Sequence, residues 1–157
     1  MSFANFVFSE TSPAAAGTAA SSQKVQGGGT SYPAGVAAPI DEYESHDIVA
    51  ELVGATGGTL DVYVQTSHDG GVNWYDKIHF AQLADGAAAV IYRTSTSNAQ
   101  NGATPQAVGK NLSPQLGNNV TLNGPASDRM RLLMVAGAGT SAGAKVIVKV
   151  TSQHAGR

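Results

Sequence analysis

Cysteine is absent from the 157 residues, so neither a disulfide framework nor a thiolate metal site is available to this chain. Charge is scarce as well. Nine Lys and Arg stand against eleven Asp and Glu, 13% of residues and a net −2. Such a chain has no basic face on which phosphate could be neutralised, and nucleic acid is not an expected partner. No apolar run approaches the ~20 residues that span a bilayer, and the opening "MSFANFVFSE" carries no cationic leader ahead of its short apolar stretch. The expectation is a protein with no membrane partner, made and kept in the cytosol or assembled there into something larger. Apolar residues at helical spacing are missing too, and no internal repeat has the length of a propeller blade.

What is present is alternation. Hydrophobic residues make up 42% of the chain, more than disorder tolerates, and they fall in β-branched and aromatic runs. "HDIVAELVG" alternates Ile48, Ala50 and Leu52 against Asp47, Val49 and Glu51, and "TLDVYVQTS" alternates Leu60, Val62 and Val64 against Asp61, Tyr63 and Gln65. "NWYDKIHFAQL" sets Trp74, Ile78 and Phe80 on one side and Tyr75, Lys77 and His79 on the other, with Asp76 the odd polar member of the apolar face. Two late strands place Met130, Leu132 and Met134, then Val146, Val148 and Val150, inward, and the glycine-rich link between them predicts a hairpin. With residues 2–8 and 88–94 and a short "VTL" at 120–122, about eight short strands result, the number of a jelly roll. The fold class is therefore all-β: one antiparallel two-sheet β-sandwich of jelly-roll type covering residues 1–157. Two segments without periodicity interrupt it, an extended N-terminal arm at 9–45 rich in Gly, Ala, Ser and Pro, and a polar loop excursion at 95–119.

Between two of the strands lies "TSHDGGVNWYD", which puts Ser67, Asp69, Gly71 and Trp74 at the spacing S-x-D-x-G-x-x-W and resembles the Asp-box of sialidases and other sugar-handling propellers. Each residue has a mechanical task. Ser and Asp bond backbone groups across a tight turn, Gly accepts positive φ, and the aromatic ring packs beneath. The motif is read as turn chemistry, because sialidase-like propellers repeat it on successive blades away from the catalytic centre and this chain has it once. A sialidase site would also need clustered arginines; Arg129 and Arg131 share one strand, Arg93 lies in another, and nothing marks a common pocket.

Other chemistry finds little footing. Asp41, Glu42, Glu44 and Asp47 surround His46, but without the glycine punctuation of a calcium loop, and read as solvated charge at a strand entrance. His46, His68, His79 and His154 are not spaced for zinc. Ser67, His79 and Asp76 compose a triad on paper only, since no nucleophile elbow is present and residues three apart in a strand face opposite ways. No enzymatic activity, catalytic residue, metal or cofactor is expected.

The stretch 51–83, "ELVGATGGTLDVYVQTSHDGGVNWYDKIHFAQL", with "RMRLLMVAGAGTSAGAKVIVKVTS" late in the chain, resembles small jelly-roll capsid decoration, or cement, proteins of tailed bacteriophages. The likeness covers half the chain and leaves out the arm and the excursion. It implies a structural virion protein made in the bacterial cytoplasm, sitting on the outer capsid surface as a homo-oligomer, a trimer, with the major capsid protein as partner. Contact candidates are then the apolar residues in segments lacking a core of their own, Tyr32, Pro33 and Ile40 in the arm and Leu112 and Leu116 in the excursion; the alternative is that they fold back onto their own sandwich. Two other functional readings stay open, a phage neck or tail component and a carbohydrate-binding module using Tyr63 and Tyr75 as exposed aromatics.

Overall fold

The computed structural model describes residues 3–11, 17–20, 24–26, 38–39, 43–53, 58–84, 89–97, 107–124, 129–137 and 145–154. Among these there is no helix, and the chain runs through eleven strands: β1 (Phe3–Thr11), β2 (Gly17–Ala20), β3 (Lys24–Gln26), β4 (Ala38–Pro39), β5 (Tyr43–Val53), β6 (Leu60–Ser67), β7 (Tyr75–His79), β8 (Val90–Ser97), β9 (Val120–Thr121), β10 (Arg129–Ala136) and β11 (Lys145–His154). They form two antiparallel sheets. Sheet A has the order β3-β1-β11-β5-β8 and sheet B the order β2-β10-β6-β7-β9, with β4 also on β10. Without the short β3, β4 and β9, the orders β1-β11-β5-β8 and β2-β10-β6-β7 are those of an eight-stranded jelly roll.

This topology corrects one expectation. β10 and β11 do not form a hairpin: β10 pairs with β6 and β2 in sheet B, while β11 pairs with β1 and β5 in sheet A. The strand order sends these two consecutive strands to opposite sheets, and apolar alternation reports only that a strand has a core face, not which sheet supplies its neighbour.

The core lies between the sheets. Ile48 and Ala50 of β5 and Val146, Val148 and Val150 of β11 meet Leu60, Val62 and Val64 of β6 and Met130, Leu132 and Met134 of β10, with Ile78 and Phe80 beside them. These are residues the period-2 pattern sends inward. Trp74, expected beside Ile78 and Phe80, is not in this cluster and packs against the Arg131 guanidinium instead, because the register of β7 shifts before Ile78. The side chain of Leu52 lies outside the described residues. Removing each large side chain from water contributes about 1.5–3 kcal/mol.

Residues 9–45 contain paired backbone. Ser9 to Thr11 complete β1 against β11, β2 and β4 lie along β10, β3 lies along β1, and β5 begins at Tyr43. Strand addition at a sheet edge needs only extended backbone with free N–H and C=O groups, so "GTAA" and "KVQ" can join without any hydrophobic period.

The excursion supplies a second apolar layer. Of residues 95–119, Ser95 to Ser97 end β8, and residues 107–122 run as a strap over the outer face of sheet B. Leu116 is buried against Tyr63 and Leu133, with Val108, Val120, Leu122 and Val135 packed around them. β10 is accordingly covered on both faces, which explains why "RMRLLMVA" is apolar at nearly every position and alternates poorly.

Candidate functional site

The β6–β7 turn is built as its residue types dictate. Ser67 Oγ accepts the Gly71 N–H at 2.8 Å and donates to Asp69 Oδ1 at 2.9 Å. Asp69 also accepts the Asn73 N–H at 2.8 Å and the Asn73 amide at 2.6 Å. Gly70 and Gly71 take φ of 72° and 94°, a region that costs other residues steric strain. At Gly71 a Cβ would also stand 3.3 Å from Trp74 Cζ2. The indole packs beneath, its Nε1–H donating to the Gly71 carbonyl at 2.9 Å.

The strap is joined to this turn and to a buried polar floor on β6, β7 and β10. Trp74 N–H donates to Asn111 Oδ1 at 3.0 Å, and Asn111 N–H returns a bond to the Trp74 carbonyl at 2.8 Å. Asp76, 3% exposed, is the anchor. Its Oδ2 accepts the N–H groups of Gly109 and Gln115 at 2.8 Å and of Leu116 at 3.1 Å, while its Oδ1 accepts Gln65 Nε2 at 2.9 Å. Arg131 closes the floor: its Nε donates to Gln65 Oε1 at 2.9 Å, its Nη2 to the Asn111 carbonyl at 3.0 Å, and its guanidinium lies 4.6 Å from the Trp74 ring centroid. Burial pushes the Arg131 pKa down to about 10 against the opposing pull of Asp76, which leaves it a cation at neutral pH.

His79 holds the other end. Its Nδ1 is 2.9 Å from the Leu116 carbonyl, its Nε2 3.0 Å from Asp61 Oδ1, and its ring stacks on Tyr63 at 3.9 Å. Gln82 donates to the second Asp61 oxygen at 2.8 Å. Burial, and after it the nearby Asp61 and Asp76 charges, raise the Tyr63 phenol to about 12. Asp76 and His79 thus grip the N–H and the C=O of the same residue, Leu116, from one side of the sheet.

That arrangement overturns the expectation that residues three apart in β7 face opposite ways. Val64 pairs with Ile78, but Gln65 pairs with Asp76, so Lys77 is an extra residue in a β-bulge. The bulge shifts the alternation by one position and brings Asp76 to the face of His79. Lys77 turns elsewhere, its Nζ donating to the Gly124 carbonyl at 2.9 Å. Its charge adds to burial, the larger cause, in pushing His46 down to about 4. His46 is therefore no surface group: it is 2% exposed and 2.7 Å from Ser152 Oγ.

Among the contact candidates, Tyr32, Pro33 and Ile40 lie outside the described residues. Leu116 is 3% exposed beneath its own strap and has no surface to give a partner, whereas Leu112 is 53% exposed. Tyr63, read as an exposed aromatic, is buried by the strap, and Tyr75 is half-buried. The triad imagined from Ser67, His79 and Asp76 does not assemble as one: Ser67 bonds within the turn, and His79 and Asp76 are spent on Leu116. Sequence reasoning missed Gln65, Asn111 and Arg131. The available signal was the polar Gln65 and Arg131 inside otherwise apolar strands, which call for a covering layer with its own donors and acceptors.

Arg93 forms a two-pronged pair with Asp47 across β8 and β5, at 3.0 and 2.9 Å, on the outer face of sheet A. Ile91 stands exposed on the same strand, and Val72 is exposed at the tip of the β6–β7 turn. Among the described residues no three His, Asp or Glu side chains gather as a metal site.

No family model matches the chain, and no curated protein matches it. Among solved structures it is similar to a chain of infectious bursal disease virus Gt strain, with TM-score 0.37, 15% identity and coverage of 99% of this chain. It is also similar to a chain of the Gx strain, with TM-score 0.33, 20% identity and 98% coverage. The chain spans 32% and 33% of the length of those viral chains.

Proposed function

We propose that the protein is a structural component of a tailed-phage virion: a decoration protein, not an enzyme, that sits as a trimer on the outer surface of the head and reinforces contacts between major capsid subunits. The observation that carries this reading is how the polar groups of the sheet B face are used. Asp76, Gln65, Arg131 and His79 are committed to backbone and side chains of their own chain. The large apolar residues exposed at that end, Val72 and Leu112, suit contact with another protein surface. The jelly-roll strand order agrees with the resemblance of residues 51–83 to decoration proteins. Repeated copies, each with a modest contact, gain avidity on a lattice without a tight individual site. The carbohydrate-binding alternative loses Tyr63, which is under the strap.

Copy number in purified particles, by quantitative mass spectrometry, tests the location. A number comparable with the major capsid protein is expected; a handful of copies would move the protein to the neck or tail. Leu112→Asp tests the contact. At a site already 53% exposed the change should stay within about 0.5 kcal/mol of wild-type stability, yet lower occupancy on the particle. Unchanged occupancy would remove Leu112 from the interface.

A further inference from the structure

Most of the contacts that fasten the strap have fixed roles over the ordinary pH range. The N–H groups of Gly109, Gln115 and Leu116 donate, as do the Gln65 amide and the Arg131 guanidinium, and carbonyl oxygens accept. His79 is different because its role depends on a proton. Both ring nitrogens stand within hydrogen-bonding distance of atoms that only accept, the Leu116 carbonyl at 2.9 Å and the Asp61 carboxylate at 3.0 Å. A neutral imidazole has one N–H and cannot serve both; an imidazolium has two. From this geometry we propose that protonated His79 is a latch that holds the Leu116 carbonyl of the 107–122 strap on sheet B, and that loss of the proton gives up one of its two bonds and loosens the strap there, while Asp76 keeps the Leu116 N–H.

The surroundings favour the charged form. From β6, Asp61 faces the ring edge and Tyr63 its plane; from β7, Asp76 bonds the N–H of the same Leu116; from the strap come the backbone groups of Leu116 and Gly117; and the Gln82 amide orients Asp61. The one cation nearby in sequence, Lys77, is turned to Gly124. Burial works against the proton, but the Asp61 bond and charge and the Leu116 and Gly117 backbone outweigh it, and the His79 pKa is raised. A group with a raised folded pKa stabilises fully below its unfolded value, 6.5 here, and that contribution is lost as pH rises through the folded value. Loosening would therefore come on the alkaline side, where Leu116 packs on Tyr63 and Leu133, the apolar floor of the strap.

The test uses the full-length wild-type chain and two NMR readings. Ring nitrogen shifts are expected to show His79 doubly protonated at pH 6. The protection factor of the Leu116 amide, corrected for intrinsic exchange, should fall as His79 titrates, by about tenfold for each pH unit that the folded pKa exceeds the unfolded one. In His79→Gln the protection should be lower at pH 6 and flat with pH. Asp61→Asn, which keeps the imidazole, should bring the titration back toward the ordinary value. A single neutral tautomer at pH 6, a flat wild-type protection factor, or the same fall in His79→Gln would each overturn the latch.

Discussion

At the residue scale, Asp76 decides how the excursion is held. Three backbone N–H groups converge on one carboxylate oxygen at 2.8, 2.8 and 3.1 Å, a geometry that only an acceptor with more than one lone pair and a negative charge satisfies well. Gly109 completes the nest, since a Cβ there would overlap the Ser113 carbonyl and the backbone of Pro114 and Gln115. Asp76→Asn is expected to be far from conservative. Whichever way the amide turns, its NH₂ faces either the strap N–H groups or the Gln65 amide, and buried donors are left unpaired. The cost should be about 3 kcal/mol, read as a lower urea midpoint. A loss below about 0.5 kcal/mol, the range of ordinary surface changes, would mean that the strap does not depend on this carboxylate.

At the scale of elements, the strap is a piece of core in a segment that looks like linker. Leu116→Ala removes the apolar plug over Tyr63 and Leu133, and a loss of about 2–4 kcal/mol is expected. The change should also disturb the fluorescence of Trp74, the single tryptophan, through its paired bonds with Asn111; an unaltered unfolding midpoint would deny the strap its structural part. The inward strand residues and the Asp-box turn were legible because each follows from local rules, side-chain period 2 and the φ tolerance of glycine. The strap was not, because Leu116, Val108 and Val120 have no periodicity of their own and acquire meaning only from the apolar outer positions of β10. Nor was the bulge. "YDKIH" contains no glycine or proline to announce an extra residue, and the shift at Lys77 is visible only in the pairing of Gln65 with Asp76. The edge strands β2 and β3 were hidden for a third reason, since backbone pairing leaves little mark on side-chain type.

On the scale of the whole molecule, two buried histidines give stability a pH dependence with opposite signs. His46 sits at about 4, chiefly through burial, with Lys77 adding to it. Between that value and its ordinary 6.5 the unfolded chain binds the proton and the folded chain does not, so stability rises with pH across the window and is lost on acidification. The span corresponds to roughly 3 kcal/mol. Burial raises the Asp61 pKa, but the His79 and Gln82 hydrogen bonds and the His79 charge together outweigh it and hold the carboxyl below 3.8, which adds to the loss at still lower pH. His79 acts on the other flank, where its contribution is full below 6.5 and declines as pH rises through its raised value. Urea midpoints measured from pH 3 to 9 should therefore pass through a maximum near the ordinary histidine range. The flanks should separate by mutation. His46→Asn, which can still bond Ser152, should flatten the rise between pH 4 and 6.5 and leave the alkaline decline in place, while His79→Gln should do the reverse. A wild-type curve level from pH 4 to 6.5 would show that His46 titrates alike in the folded and unfolded chain. The acid flank would then belong to the carboxylates alone.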